Sequence, residues 1–191
     1  MIYETIIVST NAQAQPHIAP FGVREQDGFV IIAPFRPSAT LDNLLVGGVA
    51  TLNATNDVRV FAGALTGRRD WPVHAASHIN GYVLDDALAH RELKLARVEE
   101  DAIRPTLYFR VVHEANHHPF SGFNRAQAAV IELCVLVSRL HMLPMEKIEA
   151  ELAYLSIAIE KTAGERERQA WGWLLERIEN YKAEQRGDNL A

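Results

Sequence analysis

The sequence predicts an α+β protein in which a β-barrel-like domain is followed by a C-terminal helical appendage. Three observations support this fold class. Residues 1–113 contain short β-branched and aromatic runs separated by Gly, Pro, Asp and Asn. Only one short helical pattern interrupts these runs, which differs from the regular alternation of βαβ units. From residue 123 onward, apolar residues recur instead at steps of three and four.

Six segments of the N-terminal part have the composition of strands. His90–Asp101 alternates in part, with Leu93 and Leu95 among its apolar residues, and this suits a half-buried antiparallel strand. Two prolines in the second segment indicate an edge strand or a bulge. The predicted strands are Glu4–Thr10, Pro16–Glu25, Gly28–Phe35, Val49–Thr55, His90–Asp101 and Arg104–Glu114.

Four segments are predicted to be helical. Ala39–Gly48 is short, with leucines on its apolar side and two glycines to end it. An apolar stripe from Phe123 to Leu140 is followed by Pro144, which ends that helix, and a second helix then runs to Gly164. The third helix of this C-terminal part carries apolar residues from Trp171 to Tyr181 on one side. The last nine residues, 183–191, are polar, and we expect them to be frayed.

The change of period near residue 120 predicts two domains. We expect a barrel domain over residues 1–120 and a helical domain over residues 121–191. The helices are amphipathic and must bury their apolar stripes against each other, the barrel or a second subunit.

Composition and charge exclude several classes of function. A net charge of -5 argues against a nucleic-acid-binding face, which needs concentrated Lys and Arg. The single cysteine, Cys134, cannot form an internal disulfide and lies in an apolar helical pattern, so a buried, inert thiol is expected. The N-terminus has no signal-peptide pattern and no run is long enough to span a bilayer. We therefore expect a cytoplasmic protein without a membrane partner.

A compact set of polar donors follows the third predicted strand, in the segment "FRPSATLDN". Arg36 offers a planar fork that matches phosphate oxygens, Ser38 and Thr40 carry hydroxyl groups, and the next helix begins with free backbone N–H groups. This set suits a phosphate or another anion. The alternative is an ordinary helix cap made by Ser38 or Thr40, with Arg36 in solvent.

The segment "STNAQAQPHIAPFGV" ends the first strand and begins the second. Its prolines leave backbone groups that a planar heterocycle could use, and the alternative is an edge strand protected from aggregation. His17 lies in this segment and is the nearest candidate for an acid or base.

The segment "HEANHH" contains His113, His117 and His118 together with a carboxylate. A zinc or iron site would require ligands from elsewhere, because the segment leaves a strand and meets a proline. We assign no metal and expect His117 and His118 to be polar loop residues at an interface or pocket rim. A metal-dependent protein that uses these three histidines is the alternative.

The segment "GRRDW" places two arginines beside Trp71. The arginines could contact a phosphate while Trp71 stacks on a flat ring. The alternative is a solvated loop. No glycine-rich dinucleotide fingerprint, P-loop or Ser–His–Asp order is present.

These segments, in their order, resemble the FMN-binding split-barrel superfamily and its flavin-reductase-like branch. The matching pieces are Ser9-Thr10, "HIAPFGV", the S-x-T-x-x-N pattern from Ser38 to Asn43, and "ATLNAT" with Asn53. The whole chain is still more similar to an uncharacterised group of split-barrel proteins from archaea and methylotrophic bacteria, through "HIAPFGV", "TLDNL" and "FNRAQAAVIELCVL".

The resemblance implies a split β-barrel of the FMN-binding type and a homodimer that binds FMN at the subunit interface. Arg36, Ser38 and Thr40 would hold the phosphate, and Asn53 would line the ribityl or ring region. The backbone around Thr10, Asn11, Ala19 and Phe21 would face the isoalloxazine ring.

The implied function is that of a flavoprotein, an oxidoreductase of unknown substrate, with a link to pterin-dependent one-carbon metabolism. The alternative is a non-catalytic flavin-binding protein whose helices dock a partner. The segment that stacks nicotinamide in flavin reductases has no obvious equivalent here, so NAD(P)H reduction is left open.

Overall fold

A computed structural model describes residues 1–188, which fold into two compact units. The first unit consists of residues 1–56 and 69–120. The second consists of residues 57–68 and the chain from Ser121 onward. The segment 57–68 therefore belongs with the C-terminal helices, although residues 69–120 of the first unit follow it in the sequence. The expectation that residues 1–120 and 121–191 are separate domains stays a prediction.

The first unit contains a closed barrel of six antiparallel strands in the order β1-β2-β3-β8-β7-β4. The six predicted strands are all present. Pro34 accounts for the early end of β3, which stops two residues before it. The barrel strands are β1 Ile2–Thr10, β2 Pro16–Gln26, β3 Phe29–Ile32, β4 Val49–Ala54, β7 Ala89–Glu99 and β8 Thr106–Asn116.

Two local features fix the register of the barrel. Asp27 and Gly28 both have positive φ, 52° and 77°, which permits the tight turn that joins β2 to β3. Helix α1, Ala39–Gly47, connects β3 to β4, and Gly48 ends it in the left-handed conformation.

The core of the barrel is made by inward-facing aliphatic side chains and Phe109. Leu41 and Leu44 of α1 belong to the same cluster, so the helix packs against the core of the barrel. The other core residues are Ile7, Val23, Val30, Ile32, Ala50, Leu52, Leu93 and Leu107.

A two-stranded hairpin, β5 Val73–Ala75 and β6 Tyr82–Leu84, contacts β1 and β4. The sequence analysis did not predict it, because three-residue strands are too short to show a period. Side chains from β4 and β7 hold it in place, as described below.

Within residues 57–68 and 121–188, the second unit contains four helices: α2 Arg59–Leu65, α3 Arg125–Val137, α4 Met145–Thr162 and α5 Glu165–Asp188. The three C-terminal helices were predicted. Helix α3 begins after the start of its apolar stripe because the side chain of Asn124 accepts hydrogen bonds from Ala126 N and Gln127 N. Phe123 therefore lies outside the helix.

Helix α2 was not predicted, because most of its residues are apolar and buried and a short apolar run shows no helical face. Residues 183–188 are helical, so the expectation of fraying is wrong for them. The expected fraying of Asn189–Ala191 lies outside the described residues. Burial raises the pKa of Cys134 to about 12, which confirms an inert thiol. Among residues 1–188, none of the helices combines the length and apolarity needed to cross a membrane.

Candidate functional site

The N-terminus of α1 carries the predicted anion-binding donors. Ser38 is the N-cap, and its Oγ accepts a hydrogen bond from Leu41 N at 3.3 Å. The hydroxyl hydrogen of Ser38 is not used in that bond and can be donated outward. Thr40 is buried in the first turn. The first N–H groups of the helix have no intrahelical partner, so this end of α1 favours an anion.

Arg36 lies in the loop just before α1 and is held by the β7–β8 connection. Its Nη2 is 2.7 Å from Glu100 Oε2, and its Nε donates to Asp101 O at 3.3 Å. Its backbone N–H donates to Ile103 O. The guanidinium is 38% exposed, so it can contact a ligand as well as Glu100. The sequence suggested a solvated Arg36 as the alternative, and the structure instead places a carboxylate against it.

The end of β1 lies against α1. Asn43 Nδ2 donates to Ser9 Oγ at 3.1 Å, which explains the asparagine of the S-x-T-x-x-N pattern as a tie between helix and strand. Thr10 ends β1, and Asn11 opens the following turn by accepting hydrogen bonds from Gln13 N and Gln15 N. The structure therefore brings Thr10 near α1 and makes Asn11 a turn-forming residue.

Strand β2 has a free edge along its first half. Among the described residues, it pairs with β3 only from Arg24 to Gln26, so Pro16–Val23 pairs with β1 alone. This confirms the edge that the two prolines predicted. Ala19 lies opposite Ile7, while Phe21 packs against the barrel core and its carbonyl oxygen accepts from Thr5 Oγ1.

Asn53 is fully buried on β4, where its side chain joins three strands. Its Nδ2 donates to Ile6 O of β1 and to Thr51 Oγ1, and its Oδ1 accepts from Leu84 N of β6. Thr51 Oγ1 in turn donates to Tyr82 O. The polar atoms of Asn53 are thus engaged inside the barrel unit.

The two arginines of "GRRDW" belong to different units. Arg68 forms an ion pair with Glu176 and lies over the ring of Trp173, both on α5. Arg69 belongs to the barrel unit and lies near His17 of β2. Partial burial, and secondarily the charge of Arg69, lower the pKa of His17.

A cavity of about 480 Å³ opens near the start of β1, whereas α1 packs at the end of that strand. Arg91 lines this cavity, with its Nη1 2.6 Å from Glu25 Oε1 and its Nε 3.4 Å from Glu114 Oε2. Arg36, Ser38 and Thr40 do not line this cavity. Arg36 and Ser38 are accessible at the surface, where a single chain does not enclose a ligand, and Thr40 is buried beneath them in the first turn of α1.

A second group of polar side chains lies on the outer face of the barrel. Leu93 points into the core, so Glu92 points outward, and His90 shares its face. His113 on β8 is directly opposite Glu92. His78 lies between β5 and β6, and His117 follows β8. We call His78, His90, Glu92, His113 and His117 the histidine cluster.

Glu92 is the buried centre of the histidine cluster. Its Oε1 accepts from Ser77 N at 2.9 Å and Ser77 Oγ at 2.8 Å, and its Oε2 accepts from His78 N at 2.7 Å. Burial acts to raise the pKa of Glu92, but these hydrogen bonds lower it to about 2. The carboxylate is therefore ionised over the physiological pH range.

His90 is buried beside Glu92. Burial lowers its pKa, the neighbouring Glu92 opposes that change, and His117 and His113 lower it further. Its Nδ1 is 2.7 Å from His117 Nε2, and the planes of the two rings are nearly parallel, at 4°. Imidazole nitrogens around a carboxylate are donors for a transition-metal ion. His118 is exposed outside the cluster, with its backbone N–H bonded to Leu88 O.

Sequence reasoning missed His78, His90 and Glu92. The signal that was available is their pattern: His90 and Glu92 occupy alternate positions of a strand whose other face is apolar. The pattern alone predicts that this face is exposed to solvent, because the hairpin that covers it is too short to be predicted.

Comparison with known proteins places the chain in a family. The model of the DUF447 N-terminal domain, described as a protein of unknown function, matches residues 3–118, and the second DUF447 model matches residues 124–176. The chain belongs to the DUF447 family. No curated protein sequence matches the chain significantly.

Solved structures share the fold. An FMN-bound DUF447-family protein from Methanosarcina mazei, MM1853, superposes with a TM-score of 0.80 at 18% identity, covering 92% of this chain and 94% of its own. The 2-nitrobenzoate 2-nitroreductase NbaA of Pseudomonas fluorescens has a TM-score of 0.51 at 17% identity, with coverages of 60% and 64%. Flavoredoxin from Methanosarcina acetivorans has a TM-score of 0.51 at 8% identity, with coverages of 61% and 69%.

These matches confirm the split-barrel fold predicted for this DUF447 chain, with helices following the barrel. At such identities they establish the fold and not the ligand. The residues expected to bind a cofactor stay predictions, and their placement above is the basis for the proposal below.

The buried carboxylate of Glu92 predicts a pH-dependent stability. A pKa of about 2 against an ordinary 4.5 corresponds to about 3 kcal/mol of unfolding free energy. Because the pKa is depressed on folding, this stabilisation is present above pH 4.5 and is lost as the pH falls toward 2. Glu92→Gln should lower stability by about 3 kcal/mol at pH 7, and its gap to wild type should shrink below pH 4.5.

Urea unfolding from pH 7 to pH 3.5, with a chelator present, measures this difference. The control is Glu4→Gln, which removes an exposed carboxylate of β1. A Glu92→Gln variant as stable as wild type at pH 7, or a gap that does not change with pH, would contradict the prediction.

Proposed function

We propose that this protein is an FMN-binding flavoprotein whose cofactor phosphate is held at the N-terminus of α1. The observation that carries the proposal is the donor set at that helix end, Arg36 with Ser38 and Thr40. It lies in a chain that belongs to the same family as an FMN-bound structure of the same fold. FMN ends in a dianionic phosphate, which suits this set.

The geometry of the donors fits a phosphate. The fork of Arg36 matches phosphate oxygens, and its Nε and Nη2 bonds leave further N–H donors on the same guanidinium. The hydroxyl of Ser38 and the first amides of α1 face the same end of the helix, where a negative charge is stabilised. Thr40 is the second hydroxyl residue of the proposed set and is buried in the first turn of α1.

The free edge of β2 is where we place the ring of the cofactor. Pro16–Val23, which includes Ala19 and Phe21, pairs with β1 alone and can offer backbone groups to a planar heterocycle. We assign to the ring also the backbone of Thr10 and Asn11, at the end of β1, where Thr10 pairs with Pro16. We assign Asn53 a positioning role, since its buried amide links β4 to β1 and β6.

A bound FMN would supply the redox chemistry through its ring, and the protein would supply binding, orientation and electrostatics. We therefore propose an oxidoreductase. A link to one-carbon metabolism rests on family resemblance alone. His17 lies on the β2 edge as a candidate proton carrier, and the lowered pKa of its imidazole favours the neutral form that can accept a proton. A flavin that binds tightly but is not bleached by NAD(P)H would favour a non-catalytic flavin protein.

The direct test is titration of the purified protein with FMN. Binding is monitored by the quenching of flavin fluorescence and by the change in the flavin absorption spectrum. We expect saturable binding of one FMN per chain. A protein that leaves the FMN spectrum and fluorescence unchanged would overturn the proposal.

Arg36→Ala should weaken FMN binding by about 10- to 100-fold, because it removes charge-assisted hydrogen bonds to the phosphate. Binding of riboflavin, which has no phosphate, should change little. Both affinities can be measured by fluorescence titration. The control is Arg139→Ala, which removes an exposed arginine from the helical unit.

Glu100→Gln should change the affinity for FMN in the opposite direction from Arg36→Ala. It removes the carboxylate that pairs with Arg36 and should strengthen FMN binding by about 2- to 5-fold, without an effect on riboflavin. Equal losses for FMN and riboflavin in Arg36→Ala would contradict the assigned role of Arg36.

We further propose that a second copy of the chain closes over the cofactor. Two large apolar side chains beside Arg36 are exposed, Phe35 at 59% and Ile103 at 65%, and Val46, near the other end of α1, is 81% exposed. Phe35 adjoins Arg36 in the chain, and Ile103 accepts the backbone hydrogen bond of Arg36. Exposed apolar side chains that cluster in this way are typical of protein interfaces.

Val46→Glu should convert a dimer into a monomer and weaken FMN binding, because it places a charge in the proposed interface. Light scattering at micromolar concentration measures the mass. Tyr154→Glu is the control, since Tyr154 is 73% exposed on α4. A wild-type monomer, or a Val46→Glu variant that stays dimeric, would contradict the proposed interface.

A further inference from the structure

We propose that His78, Glu92 and His113, with His90 as a fourth donor, form a binding site for a divalent transition-metal ion such as Zn²⁺. The proposal concerns the outer face of the barrel and does not depend on flavin binding. It differs from the alternative considered in the sequence analysis, because only His113 is shared with that set.

The donor atoms converge. One ligand atom from each of His78, Glu92 and His113 lies within 4.8 Å of the others. His78 Nδ1 is 3.8 Å from Glu92 Oε1, and His90 Nε2 is 3.6 Å from the same oxygen. Two ligands on a tetrahedral zinc ion lie roughly 3.3 Å apart, so a small inward movement brings these atoms to coordination distance.

An independent observation points to a ligand at this place. The side chain of His90 is only 5% exposed, and within the described part of the chain its Nε2 is a buried polar atom without a hydrogen-bond partner. An unsatisfied buried nitrogen is costly, and this one is directed at Glu92. A metal ion bound to Nε2 would remove that cost.

The surrounding contacts resemble the outer shell of a metal site. A ligating histidine usually donates its other N–H to a fixed partner, and His90 Nδ1 lies 2.7 Å from His117 Nε2. A ligating carboxylate is usually held by hydrogen bonds, and Glu92 is held by Ser77 and His78 N. The oxygen nearest His78 Nδ1 and His90 Nε2 is Oε1, and an ion there would replace the hydrogen bond that Oε1 accepts from the Ser77 hydroxyl.

One rearrangement is required. The rings of His78 and His113 are stacked, with centroids 4.1 Å apart and planes at 23°. The in-plane lone pairs of two stacked rings do not converge, so one ring must turn. His78 can do so, because its side chain is 54% exposed and lies in the loop between β5 and β6.

The donor set defines the class of ion and the role. Imidazole nitrogens with one carboxylate suit Zn²⁺ and its neighbours in the first transition row rather than Mg²⁺ or Ca²⁺. Four protein ligands make a closed, structural site. Such a site would join β7, β8 and the β5–β6 loop.

The test uses the full-length chain without a histidine tag, freed of metal by a chelator and then titrated calorimetrically with Zn²⁺. Co²⁺ is titrated in parallel, because tetrahedral Co²⁺ has a distinctive visible absorption. We expect one ion per chain. His78→Ala and His113→Ala should each bind Zn²⁺ at least tenfold more weakly, whereas the control His118→Ala should bind as the wild type does.

Circular dichroism verifies the fold of each variant, and His78→Ala decides the outcome if His113→Ala fails to fold, because His78 is exposed. Three results would overturn the proposal. They are no saturable Zn²⁺ binding by the wild type, unchanged binding in His78→Ala, or an equal loss in His118→Ala.

Discussion

The structure of the barrel unit depends on buried polar side chains that bind the backbone of the β5–β6 hairpin. Thr51 and Asn53 on β4 bond to Tyr82 O and Leu84 N, and Glu92 on β7 accepts the N–H groups of Ser77 and His78. A two-stranded hairpin alone is marginally stable in water. These bonds fix it to the barrel, bury the outer faces of β4 and β7, and hold the loop that carries His78 above Glu92.

The barrel unit has two polar sites that favour ligands of opposite charge. At α1, a guanidinium and free helical amides favour an anion, and this end is exposed beside apolar side chains. At the histidine cluster, a buried carboxylate and several imidazole nitrogens favour a cation, and the hairpin covers them. Because charge decides which ligand each place accepts, one cofactor does not serve both. The flavin and metal proposals can therefore fail independently.

Much of the fold could be predicted because its strands and helices are long enough to show their periods. β5, β6 and α2 could not, since three-residue strands and an apolar helix of seven residues have no clear pattern. The same omission concealed the histidine cluster: without the hairpin, the face that carries Glu92 appears solvated. The pairing of Arg36 with Glu100 joins residues 64 positions apart, and no local pattern reveals such a contact. The Ser38 cap, by contrast, is a local signal and was recognised as one of two alternatives.

The most direct measurement is a crystal structure of the protein grown with excess FMN. The account predicts a phosphate within hydrogen-bond distance of Arg36 and Ser38, with the ring along the Pro16–Val23 edge and covered by a second copy of the chain. Two observations together would contradict this prediction: a phosphate bound elsewhere, such as in the cavity that Arg91 lines, and an Arg36 that contacts only Glu100 and Asp101.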